Sequence, residues 1–320
     1  MKKYIVRRLL LMLPILLGVS LVVFLLIASL PGDAVTAHAA GNISQEKIEQ
    51  NRRLLGLDQP LLKRYFYWLA NACKGNLGTS TLYKQPVTKV IGTFVWNSFL
   101  LTSVSFFLQL LIAIPMGIIA AWKKYSWFDH GSSVIAFAGI SMPSFFQAMI
   151  LRYIFSIKLG ILPLDGMETV GVEMHAGQHI LDVIKHMILP VFTLTAVSMG
   201  TTMRYMRTAM LDVLHQDYIR TARAKGLSEK KVIYRHALRN AWIPIVTFLG
   251  GALPTLFAGA LITETIFAWP GIGKVFYEAI GMRDYLLMMG IVMFLAILTM
   301  LGNLLSDILY SVADPRIRLK

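Results

Sequence analysis

From Leu9 to Leu30 the chain reads LLLMLPILLGVSLVVFLLIASL, without one Asp, Glu, Lys or Arg. A helix crossing a hydrocarbon core of about 30 Å needs about 20 apolar residues at 1.5 Å rise each, so this run is long enough to span a bilayer. It comes after Lys2, Lys3, Arg7 and Arg8, as the core of a secretory signal would, and Ala37-His38-Ala39 has the form of a cleavage site. A signal's apolar region is about 7 to 15 residues long. The run exceeds that and the site falls beyond Pro31-Gly32-Asp33, so it reads as an uncleaved anchor.

Further along the chain, Phe99 to Ala121, Trp242 to Thr263 and Tyr285 to Ser306 are equally free of charge. Val134 to Leu151 is uncharged but shorter, and Met187 to Met203 shorter still. The pattern predicts an all-α polytopic membrane protein with six transmembrane helices. Composition agrees: 56% of the residues are apolar and 15% charged, against about 25% charged in soluble chains. The single cysteine, Cys73, excludes an intrachain disulfide, and no Cys/His set has zinc-ligand spacing.

A net charge of +14 in a soluble chain would point to nucleic acid; here position decides, because short basic loops stay in the cytoplasm. Basic residues gather before Leu9, at Lys123 and Lys124, nine times between Arg204 and Arg239, and at Arg316, Arg318 and Lys320. Both termini are therefore expected in the cytoplasm. Pro31 to Trp96, placed outside, carries eight basic residues, but loops beyond about 60 residues escape the rule. Its middle predicts an amphipathic helix, with Leu61, Leu62, Tyr65, Phe66 and Leu69 at helical spacing after Asp58-Gln59-Pro60, ending near Gly75. The organisation is thus 1–96, an anchor with an external helical loop; 97–312, a membrane core with a cytoplasmic loop at 204–240; and a tail, 313–320.

Several chemistries are excluded. Gly271-Ile272-Gly273-Lys274-Val275 lacks the leading glycine and the hydroxyl of a phosphate loop, so the chain does not hydrolyse ATP alone. No His-Glu-x-x-His occurs, and Gly139-Ile140-Ser141-Met142-Pro143 fails the Gly-x-Ser-x-Gly elbow, which leaves a polytopic enzyme without support. Arg152, Glu264 and Asp307 stand near span ends and read as snorkelling or interface charges rather than a proton relay. An ion-coupled secondary carrier is the competing class. The methionines around Met282 to Met300 read as packing.

The basic loop carries more pattern than charge alone requires. Asp217 reads as an N-cap, Tyr218 to Lys225 as a short helix, Gly226 as its left-handed stop, and Ser228 as the cap of a second helix with Glu229 in its first turn. Ala222, Ala224 and Gly226 keep that helix slim, which suits docking against another protein; lipid contact explains only the charges. Glu264 with the turn Trp269-Pro270-Gly271-Ile272-Gly273 reads either as part of a solute path or outer gate or as an interfacial turn with Trp269 in the aromatic belt. Asn97, Gln109, Ser141, Ser144 and Gln147 offer polar groups to a solute or to neighbouring helices.

Asp217-Tyr218-Ile219-Arg220-Thr221-Ala222-Arg223-Ala224-Lys225-Gly226-Leu227, with His236-Ala237-Leu238-Arg239-Asn240, resembles the cytoplasmic EAA loop of permease subunits of binding-protein-dependent ABC importers. Further matching pieces are Tyr4 to Leu10, Leu30-Pro31-Gly32-Asp33, Leu55 to Pro60, Gly75 to Ser80, Trp269 to Gly273 and Asp314-Pro315-Arg316-Ile317-Arg318, which is similar to the peptide/nickel branch. The general pattern's glutamate falls on Arg220 and its glycine on Gly226. The resemblance implies a type I importer permease fold and a subunit, not an enzyme, that pairs with a second homologous permease. It also implies two ATPase subunits carrying ATP and magnesium, an extracytoplasmic binding protein, a lipid surround, and no cofactor on this chain. Peptide is the expected cargo, with nickel or a metal chelate the alternative. Asp217, Tyr218, Thr221, Ala222, Arg223 and Gly226 would couple to the ATPase; Glu264, Trp269, Pro270, Gly271, Gly273 and Gln147 would belong to the path or outer gate.

Overall fold

The computed structural model describes residues 2–32, 35, 45–54, 56–252 and 254–313. The Ala37-His38-Ala39 site, Asp33, Leu55 and the tail from Asp314 to Lys320 lie outside the described residues. Helices are the only regular elements among the described residues, with one isolated bridge between Thr79 and Pro86. In chain order the helices are α1 Lys2–Ala28, α2 Gln45–Leu54, α3 Leu61–Ala72, α4 Val87–Trp122, α5 Trp127–Ser141 and α6 Ser144–Leu151, which runs on as a π-helical turn, Arg152–Lys158. Then come α7 Ala176–Leu214, α8 Asp217–Ala224, α9 Glu229–Lys231, a π-helical turn Val232–Ala237 and α10 Leu238–Ala252. The last four are α11 Thr255–Ala258, α12 Leu261–Ile266, α13 Ile272–Gly281 and α14 Tyr285–Ala313.

Five stretches are long and apolar enough to cross a membrane, and a sixth if α5 and α6 count as one bent span. The expected single helix from Val134 to Leu151 is corrected here: α5 and the α6 stretch meet at 100°. Met142 precedes Pro143 and sits at φ −87°, ψ 125°, because a proline ring crowds the helical conformation of the residue before it. Counting charges along a window is blind to that. Met187 to Met203 is only the middle of the 39-residue α7, which at 1.5 Å per residue is about 58 Å long. Trp242 to Thr263 is not one helix either: α10 stops at Ala252, and Pro254 and Gly259, at φ 72°, split the remainder into α11 and α12.

Helix α3 forms where helical spacing predicted it, with part of the expected apolar stripe inward: Tyr65 is buried and Leu69 packs against the core, joined by Trp68, whereas Leu61, Leu62 and Phe66 of the same stripe are exposed. Tyr65 fixes the rotation, packing on Phe24 and sharing a 2.9 Å hydrogen bond with Ser20 in α1.

Apolar packing concentrates at the two ends of the bundle. At one end, here the cap end, Phe24 and Ile27 of α1 meet Tyr65 and Trp68, the start of α4, α13 and the start of α14. At the other, the elbow end, the last turns of α4 and α7 enclose α8 and the π-helical turn before α10. Between them α5 crosses α7 backbone to backbone on two glycines: a side chain on Gly200 would run into the carbonyl of Ala136, and one on Gly139 into that of Ala196. Small residues permit such an approach in lipid, where packing rather than water exclusion holds helices together. Asp307 is an interface charge, as expected: it accepts from Tyr4 at 2.8 Å and pairs with Arg8 at 3.1 Å, tying α14 to α1.

Candidate functional site

The basic loop folds into a packed helical elbow. α7 ends at Leu214, α8 begins almost at once, and Gly226 at φ 74° reverses the chain into α9. Nothing lies within 4 Å of where a Gly226 Cβ would stand, so it is the backbone angle and not space that asks for glycine. α8 is seated by Ile219 and Ala222, buried against Met206, Met210, Val232 and Ile233. Tyr218, Arg220, Thr221 and Arg223 face outward. The elbow closes on itself through Asn240 Nδ2 donating to Tyr218 Oη at 2.9 Å and Arg223 Nε donating to Glu229 Oε1 at 2.8 Å.

One local expectation is corrected: Gln216, not Asp217, occupies the N-cap and makes no side-chain cap bond; Asp217 is the first helical residue, where the positive end of the helix favours a carboxylate. Ser228 holds the next N-cap position, with Glu229 in the first turn, though it makes no side-chain cap bond. Ala222 faces the protein's own core and seats α8. Next to the elbow lies an ion pair that no local pattern announces: Asp129 at the start of α5 receives Arg207 Nε and Nη2 of α7 at 2.7 and 2.8 Å and the Tyr125 N–H at 2.9 Å. Both partners sit outside the apolar windows, with nothing in the spacing to join them.

At the cap end Glu264, Trp269, Pro270, Gly271 and Gly273 come together as one re-entrant turn. Glu264 is wholly buried. Its Oε1 accepts from Ser98 Oγ at 2.7 Å and Ala260 N at 3.0 Å; its Oε2 accepts from Gly273 N at 2.8 Å and Lys274 N at 3.1 Å. The carboxylate thus sits on the N-terminus of α13, whose first N–H groups have no partner within the helix. Ser98 Oγ also accepts from Ile272 N at 2.7 Å. Gly271 and Gly273 leave the room this needs, since a side chain on either would collide with the Glu264 carboxylate.

Trp269 is fully buried and donates Nε1 to the Asn97 carbonyl at 3.0 Å, while Asn97 Nδ2 returns a bond to Pro270 O at 2.8 Å. The aromatic-belt alternative for Trp269 is therefore overturned. Gln147 stands apart, at the bend of the third span, where Nε2 donates to the carbonyls of Gly139 and Met142 at 2.8 and 2.9 Å. It satisfies the C-terminal carbonyls of α5 that have no helical partner. Gln109 serves helix packing, donating to Thr202 Oγ1 across α4 and α7. Arg152 donates Nη1 to Ile266 O at 2.8 Å and Nη2 to Asp165 at 3.2 Å, fastening the bent span to the C-terminal carbonyls of α12.

Another buried carboxylate, Asp284, was not among the expected site residues. Asp284 accepts from Ser80 Oγ at 2.6 Å, Leu82 N at 3.0 Å and Leu287 N at 3.1 Å, stapling the segment between α3 and α4 to the start of α14. The signal was present, because an Asp one residue before a long apolar run is an N-cap pattern. Beside it Tyr83 donates to Glu278 at 2.8 Å; burial first, then that carboxylate, pushes the phenol's pKa well above its ordinary value.

The chain matches two sequence families: "Binding-prot-dependent transport system membrane comp, N-term" over residues 1–88 and "Binding-protein-dependent transport system inner membrane component" over residues 113–319. It is similar to the oligopeptide transport system permease protein AppB of Bacillus subtilis (strain 168), 42% identical and covering 99% of each chain. The dipeptide transport system permease protein DppB of Alkalihalophilus pseudofirmus is 37% identical, covering 99% of this chain and 100% of that one. The glutathione transport system permease protein GsiC of Escherichia coli (strain K12) is 38% identical over the whole of both. Among solved structures an inward-facing MetNI methionine ABC transporter shares the fold, with a TM-score of 0.55 and 18% identity over 71% of this chain and 97% of that one. With a family match across more than half its length and relatives this similar from end to end, the chain belongs to the binding-protein-dependent transport system inner membrane components.

Proposed function

We propose that this chain is one of two similar permease subunits of an ATP-driven peptide importer in the cytoplasmic membrane. Two ATPase subunits bind at the elbow end and an external binding protein delivers peptide at the cap end. Both termini and the elbow then lie in the cytoplasm, in keeping with the nine basic residues between Arg204 and Arg239. The relatives' names, oligopeptide, dipeptide and glutathione permeases, support peptide as the cargo class.

One observation carries the coupling role: α8 is welded to the ends of α4 and α7 by buried Ile219 and Ala222 while its polar face points away from the bundle. A push on α8 is passed directly to two membrane-crossing helices. Asp217, Tyr218, Thr221, Arg223 and Gly226 form the ATPase-facing surface, and Ala222 anchors it. The Glu264 turn acts as a stiff outer element rather than a lining, since its carboxylate is already engaged by four donors.

Reconstitution tests this. Proteoliposomes holding the chain with its ATPases, a second permease and the binding protein should accumulate peptide only with ATP, and Arg220→Glu on the exposed face of α8 should lower uptake while leaving the chain in the membrane. Vigorous transport by the chain alone would sink the proposal.

A further inference from the structure

We propose that a cavity of about 620 Å³ at the cap end, between α1, α3 and the start of α14, binds the headgroup of an anionic phospholipid. Its floor is apolar: Phe24, Ile27 and Ala28 are the last turn of α1, and Met289 comes from α14. Its rim is cationic, with Arg53 at the end of α2 and Lys63 and Arg64 in the first turn of α3. Among the described residues neither Arg53 nor Arg64 forms an ion pair, and Lys63 meets only the side-chain amide of Gln59, at 3.0 Å. The one carboxylate on the wall, Asp284, is wholly buried and already accepts three hydrogen bonds.

Deeper in, Trp68 lines the cavity at 7% exposure, and its indole N–H has no acceptor among the described residues. The hydroxyl of Thr81 on the same wall is likewise buried and unpaired. A buried donor without a partner costs about 1–3 kcal/mol, and since both residues line the cavity, a polar group bound there relieves that cost once a small shift of the side chain brings the donor within reach. Three cations and a waiting donor above an apolar floor describe a phosphate ester attached to a hydrocarbon body. A free phosphate would leave the floor unused. The place fits the lipid as well: α1 packs chiefly on α14 and α3, and Leu25 and Leu26 beside the cavity are exposed. The span ends at Ala28, which sets the cations at headgroup depth.

The test uses the full chain purified in mild detergent with whichever subunits stay attached, stripped of lipid. It is titrated with dioleoylphosphatidylglycerol, dioleoylphosphatidylcholine or glycerol 1-phosphate, and binding is counted by native mass spectrometry. The anionic lipid should fill one site at least tenfold more tightly than the zwitterionic one, with glycerol 1-phosphate unable to displace it. Arg53→Gln with Arg64→Gln should weaken that site about fivefold per charge removed, the worth of one cation near anionic lipid. Trp68→Phe, which keeps the ring and removes the donor, should weaken it about tenfold, as expected for a hydrogen bond to a charged group. Lys123→Gln with Lys124→Gln, at the elbow end, should change nothing. Equal binding of the two lipids, equal loss from the Lys123 and Lys124 pair, or saturation by glycerol 1-phosphate would each overturn the proposal. If the double arginine variant fails to fold, unaltered binding by Trp68→Phe overturns it alone.

Discussion

Replacing Glu264 by Gln is close to isosteric, so the response isolates hydrogen bonding. Each carboxylate oxygen accepts two bonds, one pair from Ser98 Oγ and Ala260 N and the other from Gly273 N and Lys274 N. Whichever oxygen becomes an amide NH2, two acceptor contacts vanish and a donor is set against at least one backbone N–H that cannot turn away. At about 1.5–3 kcal/mol for each bond to a charged group, the turn loses about 3–6 kcal/mol. Tenfold in an equilibrium corresponds to about 1.4 kcal/mol, so opening of the turn should become about 10²- to 10⁴-fold more frequent. Amide hydrogen exchange of the segment from Gly271 to Val275 reads this directly, with α8 as an internal control that stays as protected as before. Protection within tenfold of the wild type across that segment would refute the reasoning, and the four contacts would then have to be energetically idle.

Gly226→Ala should cost about 1–2 kcal/mol, since only the positive φ resists it and no neighbour is struck; Gly226→Val should cost more and abolish ATP-dependent uptake with the chain still in the membrane. Normal uptake by the valine variant would detach the elbow from coupling. Arg207→Gln leaves the Asp129 carboxylate, 5% exposed, without its cation, and should destabilise the chain by about 3 kcal/mol, the low end for a buried pair because the guanidinium is 26% exposed. Adding Asp129→Asn should recover most of that in a thermal unfolding series, and no recovery would mean the loss came from something other than the stranded charge. Tyr83→Phe should cost about 1 kcal/mol at neutral pH. Because the folded phenol is pushed above its ordinary value, that stabilisation is intact below about pH 10 and fades as pH rises further toward the folded pKa. Wild type and variant should therefore converge in melting temperature at strongly alkaline pH, and parallel curves would contradict it.

The membrane class and the elbow were legible in the chain because both rest on local rules. Long charge-free runs predict spans from Leu9, Phe99 and Tyr285 whatever they pack against, and Asp217 to Gly226 predicts a short helix with a left-handed stop from a handful of adjacent residues. The 100° bend at Met142-Pro143 was legible in principle, since the proline was in view, but an average over about eighteen residues hides it. The face of α3 was legible only in part: Tyr65 lay on the expected stripe, but only its contacts with the Phe24 and Ser20 side chains of α1 fix the rotation that buries Trp68 with it and leaves Leu61, Leu62 and Phe66 exposed.

The buried polar contacts mark the boundary most sharply. Sequence by itself determined that Glu264 and Asp284 stand at the ends of apolar runs, and that the turn from Trp269 to Gly273 bends. Only tertiary structure decided that Glu264 meets Ser98 across 166 positions of chain and that Arg207 reaches Asp129 across 78. The reason is physical: hydropathy and capping act over a few residues, whereas a buried carboxylate is held by whichever donors folding brings within about 3 Å of it.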